Sequence, residues 1–382
     1  MSRPAFLPFF DTLSDPRQAW KIAFPLDEIL LLLFLATLSG ATSFNEMADY
    51  GRVKLPFLRS FLPFKNGIPS PLTLRRVIEA LNPKAFRQCF FQWVQTLYTE
   101  LNRHIAIDGK CLRGSFSKEC KSVHLVSAWA SQTSCLLAQS RVNQKSNEIT
   151  AIPEVLAQLC LTGAVITLDA MGCQHEIARQ IKEGGGDYIL ALKGNQSSLK
   201  EDVVTHLEAE LSQPARQRTI QQSRTLEKSR NRIETRITSV STELDWLRER
   251  HPQWSSIQSV LCIESRRQIG TQCRSERRYY VSSLKESPQK QGHWVRRHWG
   301  IENECHWVLD VVFREDASRV REKGGAENLH TVRQFALSNI RSYVKGAGAE
   351  RKLSYRRCVQ LCGWDESILR EVLQTSPPQH LS

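Results

Sequence analysis

The distribution of apolar and polar positions divides the chain into three textures. Up to about residue 100, apolar residues recur at helical spacing. The stretch DPRQAWKIAFPLDEILLLLFLATLSGA holds an apolar run over 29–36 closed by Gly40. LTLRRVIEALNPKAFRQCFFQWVQTLYTEL repeats Val77, Leu81, Phe86, Phe90 and Trp93, and Pro83 divides it into two helices. The 29–36 run is far shorter than the ~20 residues that span a bilayer, and it follows Asp27 and Glu28. It predicts a buried helix and no membrane segment.

From about 101 to 213 short apolar runs alternate with amphipathic ones. HIAIDGKCLRGS is a strand ending at Asp108 and a glycine, and SVHLVSAWA and CLLAQSRV form a hairpin about the polar turn SQTS. EITAIPEVLAQLC predicts a helix, AVITLDAMGCQ a strand ending in Asp169, and HEIARQIKEGGG a helix closed by glycines. DYILALKGN is a strand, and SSLKEDVVTHLEAELSQ a serine-capped helix. Three strands followed by alternating helices and strands predict an α/β layered domain. Residues 214–290 break this rhythm. Their runs RTLEKSRNRIETRITSV, IQSVLCIESRRQ and SERRYYVSSL predict a basic, β-rich insertion. The expected organisation is a helical N-terminal domain over 1–100, an α/β domain over 101–345 interrupted by the 214–290 insertion, and a C-terminal tail over 346–382.

Charge sharpens this picture. The 382 residues carry a formal net charge of +13, which favours a polyanionic partner, most commonly nucleic acid. The eleven cysteines include no C-x-x-C pair. They therefore give no zinc-ribbon pattern, and with no secretory signal they suit a reducing, cytoplasmic setting.

The candidate chemistry lies in carboxylates. Ligands of α/β sheets collect beyond the carboxyl ends of strands, where Asp108 and Asp169 are expected. Taken alone, each is better read as capping a strand or starting a turn. Side by side they repel unless a cation lies between them, and oxygen ligands in an open site suit Mg²⁺ or Mn²⁺. The segment RRHWGIENECHWVLD supplies Glu302 as a third carboxylate. If it is helical, His298, Glu302 and His306 share a face, with Asp310 one turn on. Zinc held by His298, Glu302 and His306 is disfavoured, because two turns separate the outer pair by about 12 Å of rise at ~1.5 Å per residue. Asp310, Glu315 and Asp316 are alternatives or additions to the acidic set, capping and ion pairing being the default reading of each.

An Asp on the first strand, an Asp ending the fourth and a Glu on a later helix follow the order of an RNase H-like fold. The sequence resembles the DDE transposases of bacterial insertion sequences, in particular the H-repeat-associated proteins. The matching residues are IAIDGKCLRGS, KSNEITAIPEVL, ITLDAMGCQHEIARQI, DYILALKGNQ, RIETR, RYYVSSL and HWGIENECHWVLDVVFREDASR, across roughly 100–340. The N-terminal helices resemble the domain associated with that family. The resemblance implies that Asp108, Asp169 and Glu302 are a metal-binding triad for two Mg²⁺ or Mn²⁺ ions. Their separations, 169 − 108 = 61 and 302 − 169 = 133, accord with a second interval lengthened by an insertion. It also implies double-stranded DNA as partner, at terminal inverted repeats and at a target, with a homodimer assembled on DNA in the cytoplasm or nucleoid. The implied chemistry is hydrolysis freeing a 3′-hydroxyl, then its direct attack on target DNA.

Many related transposases have an arginine four residues before the catalytic glutamate and a lysine seven after. Here His298 and Leu309 stand there, and Val295 replaces a tyrosine. His298 and His306 are expected to donate to DNA phosphate or to orient the carboxylate. Trp299 is expected to pack beneath Glu302 or stack on an unpaired base, core packing being the equal alternative for both tryptophans. Lys110, Arg113, Lys193, Asn195 and Gln196, with Arg230, Arg232 and Arg236 of the insertion, are candidate DNA contacts. Two other functions fit the same residues: a DNA-binding remnant that has lost catalysis, and a structure-selective nuclease indifferent to element ends.

Overall fold

The structure is a computed structural model and describes residues 3–97, 104–116, 121–142, 148–214, 217–229, 232–346 and 348–374. Five helices come first: α1 (Leu26–Leu38), α2 (Phe44–Val53), α3 (Leu55–Leu58), α4 (Pro71–Ala80) and α5 (Pro83–Leu97). α1 is apolar on every side and is correspondingly buried on every side, with Leu30 to Leu35 at most 1% exposed. Ser43 starts α2 by a capping box with Glu46, and Pro83 opens α5, where a missing N–H costs nothing.

The α/β region follows the expected order: β1 (His104–Leu112), β2 (Val123–Ala130), β3 (Cys135–Arg141), α6 (Glu148–Leu156), β4 (Val165–Leu168), α7 (His175–Glu183), β5 (Asp187–Leu192) and α8 (Ser197–Ser212). The insertion adds β6 (Gln221–Ser229), β7 (Arg232–Ser241), α9 (Asp245–Arg250), β8 (Ser259–Ile269) and β9 (Gln272–Ser282). Among the described residues the nine strands form one sheet in the order β3-β2-β1-β4-β5-β9-β8-β7-β6. β1, β4 and β5 are parallel at its centre. β9 pairs antiparallel with β5, so the insertion extends the central sheet. Its first run supplies two strands, β6 and β7, paired antiparallel. Alternation in the insertion is weak because β6 and the outer parts of β8 and β9 are exposed on both sides, β8 and β9 being arginine-rich there.

Alternation at the sheet's centre decides what faces what. Ile105, Ile107, Ile166 and Leu168 pack against α6, α7 and α8. On the opposite face Val165, Ile189 and Tyr280 pack with Val295 of α10 (Pro288–His298). By the same two-residue period His104, Ala106 and Asp108 share one face of β1. α11 (Trp307–Val311) and the long α12 (Gly325–Lys345) follow. One core joins α12 to α1–α5, to Trp129 and Leu136 of the sheet, and to Cys305, Val308 and Leu309. Residues expected as a tail contain two helices, α13 (Tyr355–Trp364) and α14 (Glu366–Gln374). Cys358, Val359 and Cys362, then Ile368, Leu369 and Val372, give each an apolar stripe buried in that same core. Among the described residues no helix is long and apolar enough to cross a membrane.

Candidate active site

β1 does not stop at Asp108. It continues to Leu112 because β2 pairs with it along that length, whereas its parallel pairing with β4 ends at Ile107 opposite Leu168. Asp108 therefore lies beside the position where β4 gives way to Asp169, with neighbouring strands only ~4.8 Å apart. Two residues 61 apart in sequence become neighbours through register alone. Asp169 Oδ1 accepts from the N–H groups of Met171 at 3.0 Å and Gly172 at 3.3 Å, which fixes its turn. Asn195 donates to the Ala170 carbonyl at 2.6 Å and Gln196 to the Cys173 carbonyl at 3.0 Å. These two polar residues fasten the loop that follows Asp169.

The third carboxylate arrives on an irregular helix. α10 ends at His298, and Ile301–His306 form a π turn in which the Trp307 N–H reaches the Glu302 carbonyl, before α11 resumes. Apolar Ile301, Cys305, Val308 and Leu309 anchor this segment in the core, leaving Glu302 exposed over the sheet. A cavity of about 380 Å³ is lined by Asp108, Asp169 and Glu302, with Thr167, His298, Trp299, Lys193, Lys200 and Arg278 among its walls. A larger groove of about 470 Å³ runs beside it along β6–β9 and α10 and shares Arg278, Trp299 and Glu302.

Electrostatics sets the acids apart from ordinary surface carboxylates. Burial, then the charges of Glu302 and Asp169, push Asp108 up to about 7 against a helping N–H from Gly109. Burial raises Asp169, with Glu148 adding to it, and burial raises Glu302, which Arg278 partly offsets. An all-oxygen set of like charges in an open cavity fits a divalent cation, whose charge would relieve that repulsion. Among the described residues, however, no three His, Cys, Asp or Glu side chains stand close enough to one another to hold a metal ion as they are.

The flanking residues take different places. His298 Nδ1 bonds Thr167 Oγ1 at 2.9 Å. His306 packs next to Asp108 with its side chain 13% exposed, its Nδ1 3.6 Å from Oδ2 and beyond hydrogen-bond range; desolvation and then Lys110 push it down to about 3. The Trp299 ring lies under the Arg278 guanidinium at 4.8 Å, while Trp307 is exposed. Lys110 is buried and pairs with Asp310 at 2.7 Å and Glu315 at 3.5 Å. Arg113 is exposed, 3.9 Å from Asp316. Arg232 and Arg236 lie on β7, Arg236 paired with Glu227 and Glu234. Arg230 lies outside the described residues.

Some lining residues had no signal in the sequence. Arg277 and Arg278 are adjacent and both line the cavity, but Arg277 is held by Glu208 and Glu264, whereas Arg278 pairs with Glu276 and lies over the Trp299 ring. Glu148 opens α6 on the opposite face of β1, bonded to His124 of β2 at 2.7 Å. Its carboxylate covers Gly109 so closely that a Cβ there would lie 2.2 Å from Oε1. Gly109→Ala is therefore expected to displace Glu148, costing about 1–2 kcal/mol. The bond to Glu148 holds His124 above its ordinary pKa, so its NMR titration midpoint should fall toward that value in the variant. An unchanged midpoint would show that the pair had survived.

Sheet order and the mixed parallel and antiparallel pairing define an α/β protein of the RNase H-like type. Residues 100–339 match the family described as Transposase DDE domain, and residues 7–94 match DDE_Tnp_1-associated. The chain belongs to the DDE transposase family, whose domain is RNase H-like and works with divalent metal ions. Among its relatives in Escherichia coli (strain K12) are the "H repeat-associated putative transposase YhhI", 36% identical over 350 residues, 89% of this chain and 92% of that one. "Putative protein YbfL" is 37% identical over the same shares. A solved piggyBac transposase synaptic complex with hairpin DNA aligns over 99% of this chain and 86% of its own at 11% identity, with a TM-score of 0.47, a likeness too slight to argue from.

Proposed function

We propose that the protein is an insertion-sequence transposase that binds the ends of its element, cuts there and joins the freed ends to target DNA. The observation that carries this reading is the register of β1 on β4, which sets Asp108 beside Asp169 in a cavity also lined by Glu302. On this reading Asp108, Asp169 and Glu302 would hold two divalent ions, Mg²⁺ or Mn²⁺. When bound, such ions would stabilise the charge that develops on attacking and leaving oxygens of a phosphodiester. The chain's own residues do the rest. Lys193, Lys200 and Arg278 bring positive charge to the cavity wall, where a phosphate backbone would lie. Trp299, backed by Arg278, offers a face on which an unpaired base could stack. The exposed arginines of the 214–290 strands extend that surface along the adjoining groove, and two ends joined together call for a homodimer on DNA.

The test uses a labelled duplex bearing the element's own end, with Mg²⁺ or Mn²⁺, and compares wild type with Glu302→Gln. Expected is cutting at the end by wild type and a loss of roughly 10³-fold in the variant with DNA binding retained, equivalent to ~4 kcal/mol of transition-state stabilisation. Equal cutting by both would remove Glu302 from the site. Binding without cutting by either would identify a catalytically decayed remnant, and equal cutting of DNA lacking the ends a structure-selective nuclease.

A further inference from the structure

Behind the carboxylates a row of polar side chains crosses the sheet. Ser131, just past β2, bonds His104 Nδ1 through Oγ at 2.7 Å. His104 Nε2 bonds Thr167 Oγ1 at 3.0 Å, and Thr167 Oγ1 bonds His298 Nδ1 at 2.9 Å. At the far end Ser131 Oγ donates to the main-chain carbonyl of Arg297 at 3.4 Å. Ser131, His104 and Thr167 are each at most 2% exposed.

That carbonyl sets the direction of every proton in the row. A carbonyl oxygen only accepts, and a hydroxyl has one proton to give. With its proton on the Arg297 carbonyl, Ser131 must accept from His104 Nδ1–H. His104 has no carboxylate among its bonded partners and is held neutral, burial pushing it down to about 3. Its Nε2 is then bare and takes the Thr167 proton. Thr167 in turn accepts from His298 Nδ1–H. With Nδ1 carrying the proton toward Thr167 and the ring kept neutral, burial pushing it down to about 4 against a bond to the Thr167 main chain, its other nitrogen, Nε2, carries a lone pair and no proton.

We propose that this relay locks His298 in the Nδ1–H tautomer and offers its bare Nε2 to the carboxylate cavity as the acceptor that positions the O–H of the attacking nucleophile, a water or a 3′-hydroxyl. The identity of that nucleophile rests on the strand-transfer reading above; the tautomer does not. A phosphate oxygen is itself an acceptor, so a bare Nε2 has nothing to give it. Thr167 is a positioning residue that acts through His298.

The tautomer is read directly from two-bond ¹⁵N–¹H correlation spectra of the full chain labelled with ¹⁵N-histidine, without DNA or metal, His298→Gln identifying the resonance. Expected is a protonated Nδ1 and an unprotonated Nε2. In Thr167→Val, which cannot accept, the Nδ1–H preference should be lost. A protonated Nε2 in the wild type would overturn the proposal. A second arm follows single-turnover cleavage of the end-bearing duplex with Mg²⁺. His298→Gln, whose amide oxygen can still accept, should retain more activity than His298→Arg, which only donates and should lose roughly 10- to 100-fold with DNA affinity unchanged. An arginine variant as active as wild type would restore the phosphate-contact role and refute the acceptor. Absence of cleavage by wild type counts against the functional reading alone, because the spectra decide the tautomer independently.

Discussion

Asp108→Asn is expected to stabilise the metal-free protein at pH 8 and to abolish DNA cleavage. Burial and the charges of Glu302 and Asp169 raise Asp108 from the ordinary 3.8 to about 7. A raised carboxyl binds its proton more readily when folded, so stability falls as pH rises from about 4 to about 7 and stays reduced above that. The full shift corresponds to ~4 kcal/mol at ~1.36 kcal/mol per pKa unit. Because repulsion within the acidic group can relax, about 2 kcal/mol is the expected gain for asparagine at pH 8, vanishing near pH 4. Thermal unfolding at the two pH values measures it. An equal gain at both would mean that asparagine packs better and that charge is not the cause. Mg²⁺ should raise the melting temperature of wild type and leave the variant almost unmoved. The same substitution should reduce cleavage by roughly 10³-fold, on the same ground of several kcal/mol of charge stabilisation. Stability and activity then move in opposite directions, as expected of a site that stores repulsion for a ligand.

The second large effect lies one layer beneath. Glu315→Ala is expected to cost about 3–5 kcal/mol, the range for removing one partner from a buried ionic group. Glu315 is 3% exposed; it bonds His330 at 2.9 Å and lies 3.5 Å from Lys110 and 3.6 Å from Arg333. Burial alone would raise its pKa, but His330, Arg333 and Lys110 outweigh that and hold it well below the carboxylate range. A depressed carboxyl contributes stability above its unfolded pKa and loses it as pH falls, so the difference between wild type and variant should shrink in acid. Urea titrations at pH 7 and pH 4 test both parts; a cost under ~1 kcal/mol at pH 7 would show that solvent screens the group. The network also ties Lys110 of β1 to Asp310 of α11. Loosening it should let the helix bearing Glu302 shift relative to Asp108, so cleavage should fall in whatever fraction remains folded.

Much of this was legible before any coordinates. The α/β order from β1 to α8 follows from runs of four to sixteen residues with period two or 3.6, bounded by turn and capping signals. The insertion was visible as an arginine-rich change of texture. Its continuity with the main sheet was not, because the partner of an edge strand is not written in the strand itself. The same limit made Asp108 look like a strand end. The polar half of β1 is held by β2, and only the pairing reveals the strand. The helices beyond residue 346 carry regular apolar stripes, but whether those stripes are buried depends on α1, at the far end of the chain, as well as on the neighbouring α12.

The site divides in the same way. The residue types that can hold a divalent cation, their order along the chain and the basic surroundings belong to the sequence, since chemistry and local period are properties of the residues themselves. Which atoms meet is a tertiary matter. Register brings Asp108 to Asp169, the π turn aims Glu302 at them, strand alternation gives Arg277 and Arg278 different partners, and burial turns His298 and Lys110 inward to partners in the protein. Those outcomes depend on contacts between residues far apart in the chain, where desolvation and pairing, rather than local propensity, decide the lowest free energy.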